Sequence, residues 1–97
     1  MTKVNLDQNL VDLDGQPIKV DEKPFLVGMV LANCLMQGKP EDVKNAVAAY
    51  MLGEKLKKGG DIELSPEEVT RLHKAIIAST YNTLIAGQLL IILEAKP

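Results

Sequence analysis

Ile62-Glu63-Leu64-Ser65-Pro66-Glu67-Glu68 passes within seven residues from an alternating pattern to a helix start. Ile62 and Leu64 flank Glu63 as in a short strand with one buried face, and Gly59-Gly60-Asp61 supplies the turn ahead of it. The Ser65 hydroxyl can accept from the backbone N–H of Glu68 while the Glu68 carboxylate reaches back to the backbone of Ser65. Pro66 suits the first helical position. Val69, Leu72 and Ile76 then recur at helical spacing with Ile77 beside them, which predicts a helix over 66–80. A capped helix entered directly from a short strand sets the class as α+β, mostly α.

Downstream, Ser79-Thr80-Tyr81-Asn82-Thr83 is poor in helix formers, and Asn82 is suited to cap a new helix. A break there is expected, followed by a helix over 83–94 whose Leu84, Ile85, Leu89, Leu90, Ile91, Ile92 and Leu93 cover all its sides. Upstream, a helix is expected over 40–58, with Pro40 at its first position, Glu41 and Asp42 in its first turn, and Gly59-Gly60 ending it. Val43, Ala46, Val47, Tyr50 and Met51 form its amphipathic stripe. Before it, Pro24 to Gln37 reads as a helix apolar on nearly every face, hence buried all round, with Gly38 as the left-handed residue that closes it. Residues 9–20 read as a β-hairpin: Val11 and Leu13 alternate with Asp12, Ile18 and Val20 alternate with Lys19, and Asp14-Gly15 makes the turn. Gln16-Pro17 after the turn allows a loop longer than two residues. The expected architecture is this N-terminal hairpin, with Ile62–Leu64 as a candidate third strand, packed on three to four helices in one domain over 1–97.

Aromatic residues are only 3% of the chain and tryptophan is absent, so the core must come from Leu, Ile, Val, Ala and Met, which suits helix packing. A formal charge of −2 provides no global attraction to nucleic acid or anionic lipid. Lys55, Lys57 and Lys58 are the one basic cluster, and they fall where a helix ends, where cations complement the free carbonyls. The single cysteine, Cys34, excludes an internal disulfide and suits a reducing compartment. Leu84 to Leu93 is half the length that a membrane span of about twenty residues requires. No signal-peptide pattern opens the sequence, so the expected location is the cytoplasm, with no membrane association.

Residues with chemical potential are scattered. His73 is the only histidine, and a zinc site needs more soft ligands than it and Cys34 supply. Cys34 and His73 could form a nucleophile and base, but a thiol in so apolar a helix is ordinarily an inert core residue. Asp7, Asp12 and Asp14 match neither a calcium loop nor a two-metal cluster, and turn chemistry accounts for Asp14. The glycines form no phosphate-cradling motif. Arg71 and Lys74 are too few for a DNA-reading helix, and one Phe with two Tyr makes no stacking platform. Hence no catalytic, cofactor-binding or metal residue is expected, and no nucleic-acid partner.

The apolar excess is the unusual signal. Two helices, 24–37 and 83–94, each call for a buried place, and a small domain has room for one at its centre. Either the last helix packs on the first in an ordinary core, or the last or the first helix continues across a subunit boundary. If the last helix does so, Leu84, Ile85, Gly87, Leu89, Leu90, Ile92 and Leu93 form the interface of a homo-oligomer, with Gly87 admitting a close helix.

Leu13-Asp14-Gly15 after an alternating start, Ile62-Glu63-Leu64-Ser65 ahead of a Glu-rich helix start, and Tyr81 followed by Ala86-Gly87-Gln88 and Leu93-Glu94 make a series of marks. Together they resemble the small uncharacterised proteins of tailed-phage and prophage genomes. The resemblance implies a non-enzymatic accessory role in the host cytoplasm, as an adaptor, assembly or regulatory factor with a phage or host protein as a further partner. Such proteins often carry a proline near Thr83, which this chain lacks. Two other roles stay open: inhibition of a host enzyme or defence complex by one-to-one binding, and transcription regulation.

Overall fold

The helix over Val27–Gln37 (α1) begins without a side-chain cap, because another part of the chain does that work. In the computed structural model, which describes residues 2–39 and 41–94, the first free N–H groups of α1 donate to carbonyls of the N-terminal segment. Val27 donates to Gln8 at 2.9 Å and Gly28 to Leu6 at 3.0 Å. Pro24 therefore does not open this helix, contrary to the expected start. It ends a short strand instead, since the backbone just after it is committed to extended pairing: Leu10 N–H donates to Phe25 O and Phe25 N–H to Ile18 O. Gly38 closes α1 in an extended conformation with φ −73°, so the predicted left-handed closure is not used.

Residues 9–20 do turn back on themselves, with Val11 bridged to Pro17 and Ile18 N–H donating to Leu10 O. The turn is a three-residue loop in which Gly15 alone has positive φ, 81°. Asp12 holds it by accepting from the N–H groups of Asp14 and Gln16 through one carboxylate oxygen. Leu13 sits in this loop and is 94% exposed, so it is not part of the hairpin's inner face. The chain then folds back a second time. Lys19–Val20 (β2) pairs with Lys23–Pro24 (β3) across Asp21-Glu22, both in the left-handed region at φ 52° and 66°. A two-residue turn of that hand matches the twist of the strands, although glutamate is an unusual occupant.

The strand Thr2–Asn5 (β1) pairs antiparallel with Asp61–Leu64 (β4), setting Thr2 opposite Leu64 and Val4 opposite Ile62. The anticipated third strand therefore exists, but its partner is β1 and not the hairpin. Val4 and Leu64 point into the core, while Lys3 and Glu63 face solvent in an exposed pair at 3.9 Å that adds little. The β1–β4 corner is fastened by Asp7, whose carboxylate accepts from Gly60 N–H at 3.1 Å, and by Leu6 N–H donating to Gly60 O.

The remaining helices are Val43–Lys57 (α2), Pro66–Ala78 (α3) and Thr83–Glu94 (α4). Asp42 caps α2 by accepting from Asn45 N–H at 2.7 Å, which places Glu41 and Asp42 before the first turn and not within it. The predicted role of Pro40 falls outside the described residues. Ser65 and Glu68 make the expected reciprocal cap of α3. Both α2 and α3 pack on α1, whereas α4 lies against α3 and β1. One contiguous core joins Val4, Leu6 and Leu10 of the N-terminal segment with Val27, Leu31, Leu56, Leu72, Ile76 and Leu89. α1 is central, yet not buried all round, because Met29 and Met36 reach solvent. Among the described residues no helix is long and apolar enough to cross a membrane.

Candidate functional site

The break after α3 falls at the expected place. Ser79 ends α3, and Asn82 caps α4 by accepting from Ile85 N–H at 3.2 Å. The connecting residues are tied to α1 and the segment before it: Thr80 N–H donates to Gln37 Oε1, Asn33 Nδ2 donates to the Tyr81 hydroxyl, and the Tyr81 ring meets Phe25 edge-on. The turn between α3 and α4 is thus set by side chains far away in sequence as well as by its own poor helix formers.

This direction decides the fate of the predicted interface. Ile85, Leu89 and Leu93, spaced four apart, all face the core and are buried there. They are occupied by the chain's own Val4, Leu6 and Leu10 region and by α3, so they are not free for a partner, which corrects the expectation for these three. Leu84, Gly87, Leu90 and Ile92 are half-buried along the flanks. Gly87 has no atom within 4 Å of where a Cβ would stand, so no helix of the same chain uses the close approach it allows. The outermost apolar residue of α4 is Ile91, 71% exposed.

Gln88, the one polar residue inside the apolar run, is the clasp that holds the hairpin to α4. Its Oε1 accepts from Val11 N–H at 3.0 Å and its Nε2 donates to Val11 O, as a neighbouring strand would. Both backbone groups of Val11 depend on this amide, and they are half-buried. Gln88→Leu, which keeps the volume and removes the bonds, is expected to cost about 1–3 kcal/mol in urea unfolding. An unchanged midpoint would mean that water satisfies Val11 equally well.

The larger surprise lies on α2. Its inward face is Ala49, Leu52, Gly53 and Leu56, and the stripe read as its amphipathic signature points mainly the other way. Val43, Val47, Tyr50 and Met51 are 82%, 52%, 59% and 65% exposed, and only Ala46 of that set is turned toward the body. The choice of face follows from the contact with α1. At Gly28 the two backbones come so close that a methyl group would lie 2.8 Å from the Leu56 carbonyl oxygen. At Gly53 a methyl would lie 2.8 Å from Met36 Cε. The glycines let Leu52 and Leu56 reach the core, and the second apolar stripe is left outside. Beside it an open groove of about 520 Å3 runs between α2 and α3, lined in part by Leu35, Ala46, Ala49, Tyr50, Arg71 and Ala75.

The titratable residues singled out above find structural places. Cys34 is buried in α1; burial pushes its thiol up, and the neighbouring Ser79 side chain offsets this only in part. A thiol held protonated is a poor nucleophile. His73 lies partly buried on α3, and its Nε2 has no hydrogen-bond partner among the described residues. Among the described residues no group of three His, Cys, Asp or Glu side chains comes together in a way that could hold a metal ion. Asp7 and Asp12 serve turns. Lys55 reaches across to β4 and α3, donating to Glu63 O at 3.3 Å and to Glu68 at 3.4 Å, while Lys57 sits in the last turn of α2. Burial alone would raise Glu68, but the Ser65 backbone N–H, with Lys55 and the Ser65 hydroxyl, outweighs it and leaves the carboxyl below its ordinary value.

Comparison of the chain with protein-family models, curated proteins and solved structures finds no match. The outward stripe of α2 is the largest run of exposed apolar side chains on one helix among the described residues.

Proposed function

We propose that this chain is a non-enzymatic accessory protein of phage or prophage type that self-associates through apolar helix faces and serves as an adaptor, assembly or regulatory factor in the host cytoplasm. The observation that carries the reading is the stripe Val43, Val47, Tyr50 and Met51, which α2 presents outward although its other face already fills the core. A helix that spends half its apolar residues on solvent carries a cost in solubility that a partner chain removes. The buried, protonated Cys34 supports the absence of thiol catalysis. The phage setting draws on the marks at Leu13–Gly15, Ile62–Ser65 and Ala86–Gln88.

Light scattering across a micromolar concentration series is the test. The mass is expected to rise above the 10.6 kDa of one chain as concentration increases. A constant 10.6 kDa overturns self-association and turns the reading toward a one-to-one inhibitor of a host enzyme or defence complex.

A further inference from the structure

The outward face of α2 has a symmetry that the exposure values alone do not express. Taken in order, the residues along it are Lys44, Val47, Met51 and Glu54, all exposed, at spacings of three, four and three. This is the three-four-three spacing of a coiled-coil seam. The residues that face the core, Asn45, Ala46, Ala49, Leu52, Gly53 and Leu56, occupy the opposite positions of the same repeat, so the seam is not used within the chain. Val43 and Tyr50 border it and widen its apolar area.

Read from the other end, the row runs acid, apolar, apolar, base. An antiparallel second copy therefore sets Lys44 against the second copy's Glu54 and Val47 against the second copy's Met51. A parallel copy would place each charge against its like, which is destabilising. A two-fold axis needs one patch that is complementary to itself, and this row satisfies that requirement in one direction only. Val43, Val47, Tyr50 and Met51 are each more than half exposed and adjoin one another on α2, an exposed apolar patch of the kind that marks an interaction site.

We infer that α2 is the seam of a symmetric homodimer, paired antiparallel with the α2 of a second copy in the register Val47 on Met51 and Lys44 on Glu54. This inference rests on the self-association proposed above and names the surface and the geometry. Sedimentation equilibrium of four full-length proteins tests it: the native chain, Lys44→Glu, Glu54→Lys, and the double variant carrying both. All four positions of the seam are exposed, so circular dichroism should show each protein folded. The native chain is expected to dimerise. Either single reversal sets like charges together at both ends of the seam and should weaken the dimer about tenfold or more. The double variant restores opposite charges at both ends and should return the affinity to near the native value.

A dimer indifferent to both single reversals overturns the α2 seam while leaving self-association standing. Weakening by the single changes without rescue in the double overturns the antiparallel register. A native chain that stays monomeric throughout overturns both the seam and the self-association on which it rests.

Discussion

Leu89→Lys is expected to unfold the protein, and not merely to separate subunits. Leu89 is 0% exposed and lies in the row Ile85, Leu89, Leu93 through which α4 enters the common core. Truncating a leucine in such a position costs about 2–5 kcal/mol through lost burial and the cavity left behind. Lysine adds an ammonium group with no buried acid to receive it, since no buried residue of the core is polar or charged among those described. A domain of this size has a total stability on the order of 5–10 kcal/mol, so the two effects together consume it. Thermal unfolding followed by circular dichroism should show no cooperative transition. Ile91→Lys on the same helix is the control: that side chain is 71% exposed, and the change should stay within about 0.5 kcal/mol. A normal melt for Leu89→Lys would mean that α4 is not docked as described.

The second large effect concerns two glycines with opposite expected signs. Gly28→Ala places a methyl 2.8 Å from the Leu56 carbonyl oxygen, 3.0 Å from Leu6 Cβ and 3.2 Å from the Leu6 carbonyl oxygen. Two of those three atoms are backbone, so no rotamer change relieves the crowding. The shift would also lengthen the bond from Gly28 N–H to Leu6 O, one of the two that begin α1. Alanine gains about 1 kcal/mol of helix propensity over glycine, yet the overpacking should outweigh it and leave a net loss of about 2 kcal/mol or more. Gly87→Ala meets nothing within 4 Å and should gain about 0.5–1 kcal/mol from the same propensity. Urea denaturation of both variants decides the matter. A stabilised Gly28→Ala would show that α1 and α2 sit further apart than the glycine contact requires.

Some of this architecture is legible in short stretches of sequence. The cap at Ser65 and Glu68, the cap at Asn82, the stop at Gly59-Gly60 and the loop at Asp14-Gly15 are each built from neighbours within a few residues, so local chemistry is enough to locate them. Other starts and stops were obscured because their partners are remote. Pro24 reads as a helix opener, but Leu10 and Ile18 draw the segment around it into extended pairing. Asp21-Glu22 carries no glycine or asparagine to announce a left-handed turn. Gln88 reads as a lone polar interruption until Val11 is brought beside it.

The candidate surface divides in the same way. The apolar excess of 83–94 is evident from composition, but Val4, Leu6 and Leu10 cover its inner row, and nothing in residues 83–94 foretells that cover. The apolar stripe of α2 is equally evident, yet an isolated helix with Val43, Val47, Tyr50 and Met51 on one side and Leu52 and Leu56 on the other has two apolar faces. Helical periodicity measures that a stripe exists and is blind to which one the fold will bury. That choice belongs to the tertiary structure, because it is made where α1 meets α2: the Leu56 carbonyl lies against Gly28, and Leu52 and Leu56 fill the core. Local patterns are enough to specify an α-rich chain, the caps of α3 and α4, and more apolar residues than one small core holds. The packing of α2 on α1 through Leu52 and Leu56 decided that Val43, Val47, Tyr50 and Met51 lie outside.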